Sequence, residues 1–242
     1  MEFAVNNEGE RISIFNANRN EHYFCPCCNG ELIQRHGKIV IDHFAHKSKI
    51  ECIDYYDNKG PWHRSMQDLF PEQEREVFNN EFGNHFFDVL TGKGTIIEFQ
   101  NSAISKDKFI ERTEAYAKYS KAHGSRKPIW VFNYASRCFY TLEKGKDGSR
   151  FRKMRWYYPT KIFDDFDKNS DYELWFRVQP LKYKPDIDEV YTEDGDCVNR
   201  VIIDRNSRLG TGYLKIHGIF DSKMLYASML TEPEFQKHVI TL

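Results

Sequence analysis

Asp88, Glu98 and Gln100 lie in the stretch His85-Phe86-Phe87-Asp88-Val89-Leu90-Thr91-Gly92-Lys93-Gly94-Thr95-Ile96-Ile97-Glu98-Phe99-Gln100, which reads as two strands joined by a tight Gly-Lys-Gly turn. Strand side chains alternate between faces, so Glu98 and Gln100 share one face with Phe99 opposite. A fold back at Gly92–Gly94 brings Asp88 near Glu98. Two carboxylates and an amide converging on one spot meet the first requirement of a divalent-metal site built from oxygen ligands. A second set has softer ligands. Cys25-Pro26-Cys27-Cys28 contains a C-x₂-C knuckle with Cys27 left over; His43-Phe44-Ala45-His46 follows, and then Cys52. Thiolate and imidazole suit tetrahedral zinc. Cys25, Cys28, His46 and Cys52 are the preferred set, with His43 as the alternative for the third or fourth ligand.

The elements that must position these residues are legible around them. Leu32–Arg35 and Ile39–Asp42 read as a hairpin turning at His36-Gly37-Lys38, too short to bury a core of its own, so a bound metal would supply its folding energy. Trp62, Met66, Leu69 and Phe70 recur at helical spacing, with His63 and Gln67 four apart beside them, and Pro71 stops the helix. Residues 74–82 read as a strand that carries Glu76 and Glu81. Ser105 can cap a helix from Lys106 to Ser120, with Asp107 in its first turn. On that helix Phe109, Arg112, Thr113 and Tyr116 share one face. Pro128-Ile129-Trp130-Val131-Phe132 is a continuous apolar run that fits a buried strand.

Asp88, then Glu98-x-Gln100, Ser102, Ser105, Glu111-Arg112-Thr113 and Tyr116, together with Cys25–Cys28 and His43–His46, resemble the competence protein CoiA-like family of the PD-(D/E)xK nuclease superfamily. The resemblance covers roughly residues 20 to 134. It implies an α/β, restriction-endonuclease-like core (helix, three strands, helix, strand) with an N-terminal zinc-ribbon-like β-hairpin module; the residues beyond it read from their own pattern as a C-terminal α+β extension. The corresponding boundaries are 1–57, 58–136 and 137–242. It also implies a deoxyribonuclease, acting in DNA uptake, recombination or defence. Asp88 and Glu98 would hold Mg²⁺ or Mn²⁺ with the carbonyl of Phe99. Glu76 stands where the family has a glutamate, with Glu81 as the substitute if the register shifts. His63 matches a family histidine and Arg112 a family arginine; on the helix face that meets the site, Arg112 could hold a phosphate or orient a metal-binding carboxylate. Gln100 stands in for the superfamily's usual lysine. Gln67 falls where a family lysine is expected. The alternative is a non-catalytic nucleic-acid-binding or adaptor protein that keeps the nuclease fold.

The remaining features set limits. The 242 residues carry a net charge of −1, so global charge does not mark a nucleic-acid binder. Charge is uneven, however: Lys144 to Lys161 holds seven basic residues against Asp147 alone, and Asp186 to Asp196 holds six acidic ones. Arg152, Lys153 and Arg155 interleave with aromatics in a manner that fits nucleic-acid backbone or an ordinary amphipathic strand. No apolar run is long enough to cross a membrane, and the N-terminus does not read as a signal peptide, so a cytoplasmic protein is expected. Further strands are expected at 138–142, 151–158, 172–178 and 214–220. A helical tail is expected from Met224, offering a surface for a protein partner or a second copy.

Overall fold

The computed structural model describes residues 1–37, 42–48, 52, 59–134, 139–144, 151–156, 161–163, 166–167, 169–178, 181–183, 190–191, 197–198, 201–203, 212–220 and 224–242. For 139–144 and 151–156 it describes the strand path alone. The acidic stretch 186–196 and the basic residues between 145 and 150 lie almost wholly outside these residues. Among the described residues, no helix is long and apolar enough to cross a membrane.

The N-terminal region forms a five-stranded sheet from β1 (Phe3–Val5), β2 (Arg11–Ser13), β3 (Tyr23–Phe24), β4 (Glu31–Arg35) and β5 (His43–His46), in the order β2-β1-β3-β4-β5. Its small core gathers Ala4, Ile14, Tyr23, Cys25, Leu32 and Phe44, and is completed by Phe86 and Phe78 from the next sheet. The hairpin differs from the sequence expectation in one respect. The partner of β4 is His43–His46, paired Arg35 to His43 and Leu32 to His46, and not Ile39–Asp42. The reason is burial: this register seats Phe44 against Tyr23, with ring centroids 5.0 Å apart.

The second sheet has nine strands. Its first half follows the expected order of helix, three strands, helix and strand: α1 (Pro61–Gln67), β6 (Arg75–Asn79), β7 (His85–Leu90), β8 (Ile96–Gln100), α2 (Lys106–Ala122) and β9 (Ile129–Asn133). Local chemistry sets the limits. Pro61 opens α1, where a missing N–H costs nothing. Ser105 caps α2 by accepting the Lys108 N–H at 3.3 Å. The β7–β8 turn closes through Gly94 N to Thr91 O at 2.7 Å, with Gly94 at φ +77°, a left-handed conformation that glycine adopts without penalty.

The same sheet continues through β10 (Phe139–Lys144), β11 (Phe151–Trp156), β12 (Glu173–Val178), β17 (Gly212–Phe220) and β18 (Met224–Thr231), in the overall order β10-β11-β18-β17-β12-β9-β8-β7-β6. Two small ribbons lie between β12 and β17 in the chain: β13 (Leu181–Tyr183) with β16 (Val201–Ile203), and β14 (Val190–Tyr191) with β15 (Cys197–Val198). The β8–β9 and β9–β12 pairs are parallel, and the other neighbours are antiparallel. Met224–Thr231 is therefore a strand and not the start of a tail helix. It is paired on both edges, and a mostly apolar segment of this length carries no period that separates an interior strand from a helix. The helix α3 (Glu232–Ile240) begins only at the capping box of Thr231 and Glu234.

The sheet is covered on both faces. On one side Phe109, Tyr116 and Tyr119 of α2 pack on Phe87, Trp130 and Phe132. On the other, Met66 of α1 and Phe235 and Val239 of α3 pack on Val89, Phe99, Val131, Trp175 and Tyr213. Phe235 stacks on Tyr213 at 3.9 Å. Phe235→Ala is therefore expected to cost about 3–5 kcal/mol in urea unfolding, the range for truncating a fully buried aromatic. A cost below about 1 kcal/mol would show that α3 is not part of this core.

Candidate functional site: a buried carboxylate cluster beside a Cys/His centre

The ladder between β7 and β8 pairs Leu90 with Ile96 and Val89 with Ile97. At the next position it gives way, and the Phe99 N–H is donated to the Asp88 carboxylate at 2.9 Å. Asp88 and Glu98 thus stand across from each other where the two strands part. Glu98 and Gln100 lie on the face toward α2, while Ile97 and Phe99 pack on the other side. Asp88, Glu98 and Gln100 are all buried, as is Glu76, which faces Asp88 from β6.

Each carboxylate is held by its own partners. Asp88 Oδ1 lies 3.0 Å from His63 Nε2 and 3.1 Å from the Lys59 ammonium. The Gln67 amide donates to the Asp88 carbonyl at 3.1 Å, and more weakly to Oδ1 at 3.4 Å. Burial pushes the Asp88 carboxyl up. The His63 and Lys59 charges and the Phe99 N–H outweigh it, so the group sits well below the usual carboxylate range. Glu76 accepts from Lys59 at 3.0 Å and from the Glu2 backbone N–H at 2.7 Å. Its φ of +47° is a left-handed conformation that costs a non-glycine residue on the order of 1–3 kcal/mol. That conformation falls on a residue of the charged cluster.

Glu98 belongs to the helix side. Arg112 forms an ion pair with its Oε1, the Tyr116 hydroxyl donates to its Oε2 at 3.1 Å, and Arg112 Nε donates to the same hydroxyl at 2.9 Å. Burial, and after it the Glu98 charge, raises the Tyr116 hydroxyl well above its ordinary range, so it stays a donor. Gln100 donates to Ser102 at the carbonyl (2.9 Å) and the hydroxyl (3.2 Å). Its other amide atom, Oε1, is buried without a hydrogen-bond partner.

The residues singled out in the sequence are therefore brought together: His63, Glu76 and Asp88 in one network, Glu98 and Arg112 in the adjoining one, and Gln100 beside it. Glu81 is elsewhere, exposed and paired with His123 at 2.7 Å. Arg152, Lys153 and Arg155 fall on β11, with side chains outside the described residues. Lys59 lies in a polar stretch that closes in Lys59-Gly60-Pro61, whose composition is that of a linker. The missed signal was spacing: Lys59, His63 and Gln67 recur every four residues, so a basic residue precedes the helix in line with the other two Asp88 partners.

At the N-terminal sheet, Cys25, Cys28, His46 and Cys52 place their ligating atoms within 4.8 Å of one another. Cys25 Sγ and Cys52 Sγ are 3.8 Å apart, which matches the ~3.8 Å edge of a tetrahedron with Zn–S bonds of ~2.3 Å. Cys28 Sγ lies 3.2 Å from His46 Nε2. The knuckle turns through Asn29 at φ +54°, with Asn29 N donating to Cys25 O at 2.9 Å. Burial raises the Cys25 and Cys52 thiols, so thiolates here need a compensating cation. The four residues can bind a metal such as zinc. His43 is not of this group: three residues from His46 on one strand, it belongs to the opposite face.

Two family models match the chain. Competence protein CoiA, N-terminal domain, matches residues 7–53, and Competence protein CoiA, nuclease-like domain, matches residues 86–162. The chain belongs to the competence protein CoiA-like family. No curated protein and no solved structure matches it. In this CoiA-like chain the first match contains all four Cys/His residues. The second contains Asp88, Glu98, Gln100, Arg112 and Tyr116. Lys59, His63, Gln67 and Glu76 lie between the two matched segments, yet they meet the nuclease-like residues in space.

Two outcomes follow. The purified protein is expected to hold one zinc per chain by metal analysis, and Cys28→Ser to hold well under half of that; an undiminished zinc content would rule out this ligand set. Asp88, with its folded pKa depressed, contributes stability that is present above the ordinary aspartate range and is lost as pH falls through it toward the folded value. Asp88→Asn should therefore flatten the fall in melting temperature between about pH 5 and pH 2. An unchanged acid limb would show that Asp88 is not the group responsible.

Proposed function

We propose that this chain is a divalent-metal-dependent deoxyribonuclease with a restriction-endonuclease-like core, working at the Asp88–Glu98 cluster and carrying structural zinc at Cys25, Cys28, His46 and Cys52. The observation that carries the reading is the pairing of β7 and β8: it sets two buried carboxylates opposite each other inside the segment that matches a nuclease-like domain. The donor set fits Mg²⁺ or Mn²⁺, which take hard oxygen ligands. The Lys59 ammonium, within 3.1 Å of oxygens from both Glu76 and Asp88, already marks a place where those carboxylates receive positive charge.

Asp88, Glu98 and the Phe99 carbonyl would hold the ion, with Glu76 contributing beside Asp88; among the described residues only the Cys/His set already gathers three or more ligand groups closely enough for a metal, so the carboxylates would have to close on the ion. Once bound, the ion supplies an activated water and charge stabilisation at the phosphate. The protein's own groups do the rest. His63 and the Phe99 N–H fix the orientation of the Asp88 carboxylate. Arg112 and Tyr116 do the same for Glu98. Gln100 is neutral and cannot take a proton, but its unpartnered Oε1 can accept a hydrogen bond from a water and aim it. Its amide nitrogen is occupied by Ser102, so that oxygen is the atom it offers.

A second reading is favoured by the engagement of both Glu98 oxygens with Arg112 and Tyr116. It makes the cluster a structural ion-pair network in a DNA-binding or adaptor protein. One assay separates the two. Labelled single- and double-stranded DNA is incubated with Mg²⁺ or Mn²⁺ and either the wild type or Glu98→Ala. The nuclease reading predicts metal-dependent cleavage that falls by at least about 10²-fold in the variant. Cleavage by neither protein, with salt-sensitive DNA binding retained by both, would decide for the adaptor.

A further inference from the structure

We propose that the Lys59 ammonium is the resident cation of the Asp88 site, expelled when a divalent ion binds and thereby delivered to the scissile phosphate. The inference rests on the metal-site reading above and assigns the positive charge that Gln100 lacks. Lys59 Nζ bridges Glu76 Oε1 at 3.0 Å and Asp88 Oδ1 at 3.1 Å. A divalent ion held by Asp88 and Glu76 needs the same oxygens, and ammonium and metal repel each other at such distances, so the two compete for one place. The surroundings allow the exchange. The Lys59 side chain keeps 13% of its surface exposed, against 1% for Glu76 and 5% for Asp88, so it is the most accessible of the three. Its four-carbon stem is flexible, while the ring of Pro61, two residues on, fixes the backbone at the start of α1. His63 and Gln67, one and two turns further on, stay on Asp88 and keep its orientation while the ammonium leaves.

Among the described residues the other basic group on Asp88 is His63, which is buried and stays on that carboxylate. Gln67 and Gln100 are neutral amides, and both carry a buried Oε1 without a hydrogen-bond partner. Arg112 is committed to Glu98. Displacement converts Lys59 from a counter-ion of the metal-free protein into a cation next to bound phosphate, and it links the two states: the charge is released only where a metal has taken its place.

The test uses the full chain with its zinc in place. Mn²⁺ binding is followed by loss of the free-ion spin-resonance signal, thermal unfolding is measured with and without Mn²⁺, and cleavage is measured at saturating Mn²⁺. Lys59→Met is expected to melt lower than wild type without Mn²⁺ and to regain wild-type stability with it. It should bind Mn²⁺ about 3–10-fold more tightly, because a competing charge is gone, and cleave DNA about 10²-fold more slowly. Lys59→Arg, which keeps the charge, should keep metal-free stability and wild-type Mn²⁺ affinity. A lysine that only props the fold would give a variant that Mn²⁺ does not rescue. Lys59→Met that binds Mn²⁺ no more tightly than wild type, that cleaves at the wild-type rate, or that stays unfolded with Mn²⁺ present overturns the proposal. Asp88→Asn identifies which part failed. If it loses Mn²⁺ binding while Lys59→Met behaves as wild type, the metal site stands and the lysine assignment falls. If Asp88→Asn binds as wild type does, both fall.

Discussion

Burying carboxylates is the constraint from which the rest of this molecule follows. Glu76, Asp88 and Glu98 lie with 4% or less of their surface exposed, where an isolated anion would cost several kcal/mol. The protein meets that cost with cations and donors drawn from every neighbouring element: Lys59 and His63 from the start of α1, Arg112 and Tyr116 from α2, and the Phe99 N–H from β8. Removing any one partner leaves a carboxylate less fully compensated in low dielectric. The cluster therefore fixes the placing of α1 over β7 and of α2 over β8 more tightly than apolar packing alone would.

The N-terminal sheet takes part in the same arrangement. Phe86 and Phe78 complete its core from β7 and β6, and the Glu2 N–H is spent on Glu76. The Glu2 carboxylate reaches back to Arg64 of α1 and to Arg75 at 3.5 Å. A metal at the Cys/His centre would thus stabilise a module whose first strand touches a carboxylate of the cluster. Two centres of different chemistry, soft thiolate and imidazole in one and hard oxygen in the other, are joined by the Glu2 hydrogen bond to Glu76, the Glu2 ion pairs and a shared aromatic core.

Much of this was legible in the sequence where one physical signal dominates. The β7–β8 hairpin, the Ser105 cap, the buried face of α2 and the apolar run of β9 each follow from period and turn chemistry, and the four Cys/His residues from ligand type and spacing. Legibility ended where tertiary pairing decides. The strand His43–His46 is short and mixed in polarity, and its place beside β4 rests on tertiary contacts, Phe44 against Tyr23 and His46 in the Cys/His group. Met224–Thr231 is mostly apolar because it lies inside a sheet, and so short a run has no period that separates strand from helix. Lys59 sits in a polar stretch that resembles a linker. Its role appears only once β6 and β7 bring Glu76 and Asp88 to it.

The measurement that bears most directly on the account is a crystal structure of the zinc-loaded protein soaked in Mn²⁺, read by anomalous scattering. The account predicts a peak at coordination distance from the Asp88 and Glu98 carboxylates, with the Lys59 ammonium moved off Asp88. A site without Mn²⁺ at saturating concentration, with Lys59 still bridging Glu76 and Asp88, would contradict it and leave the cluster a structural network.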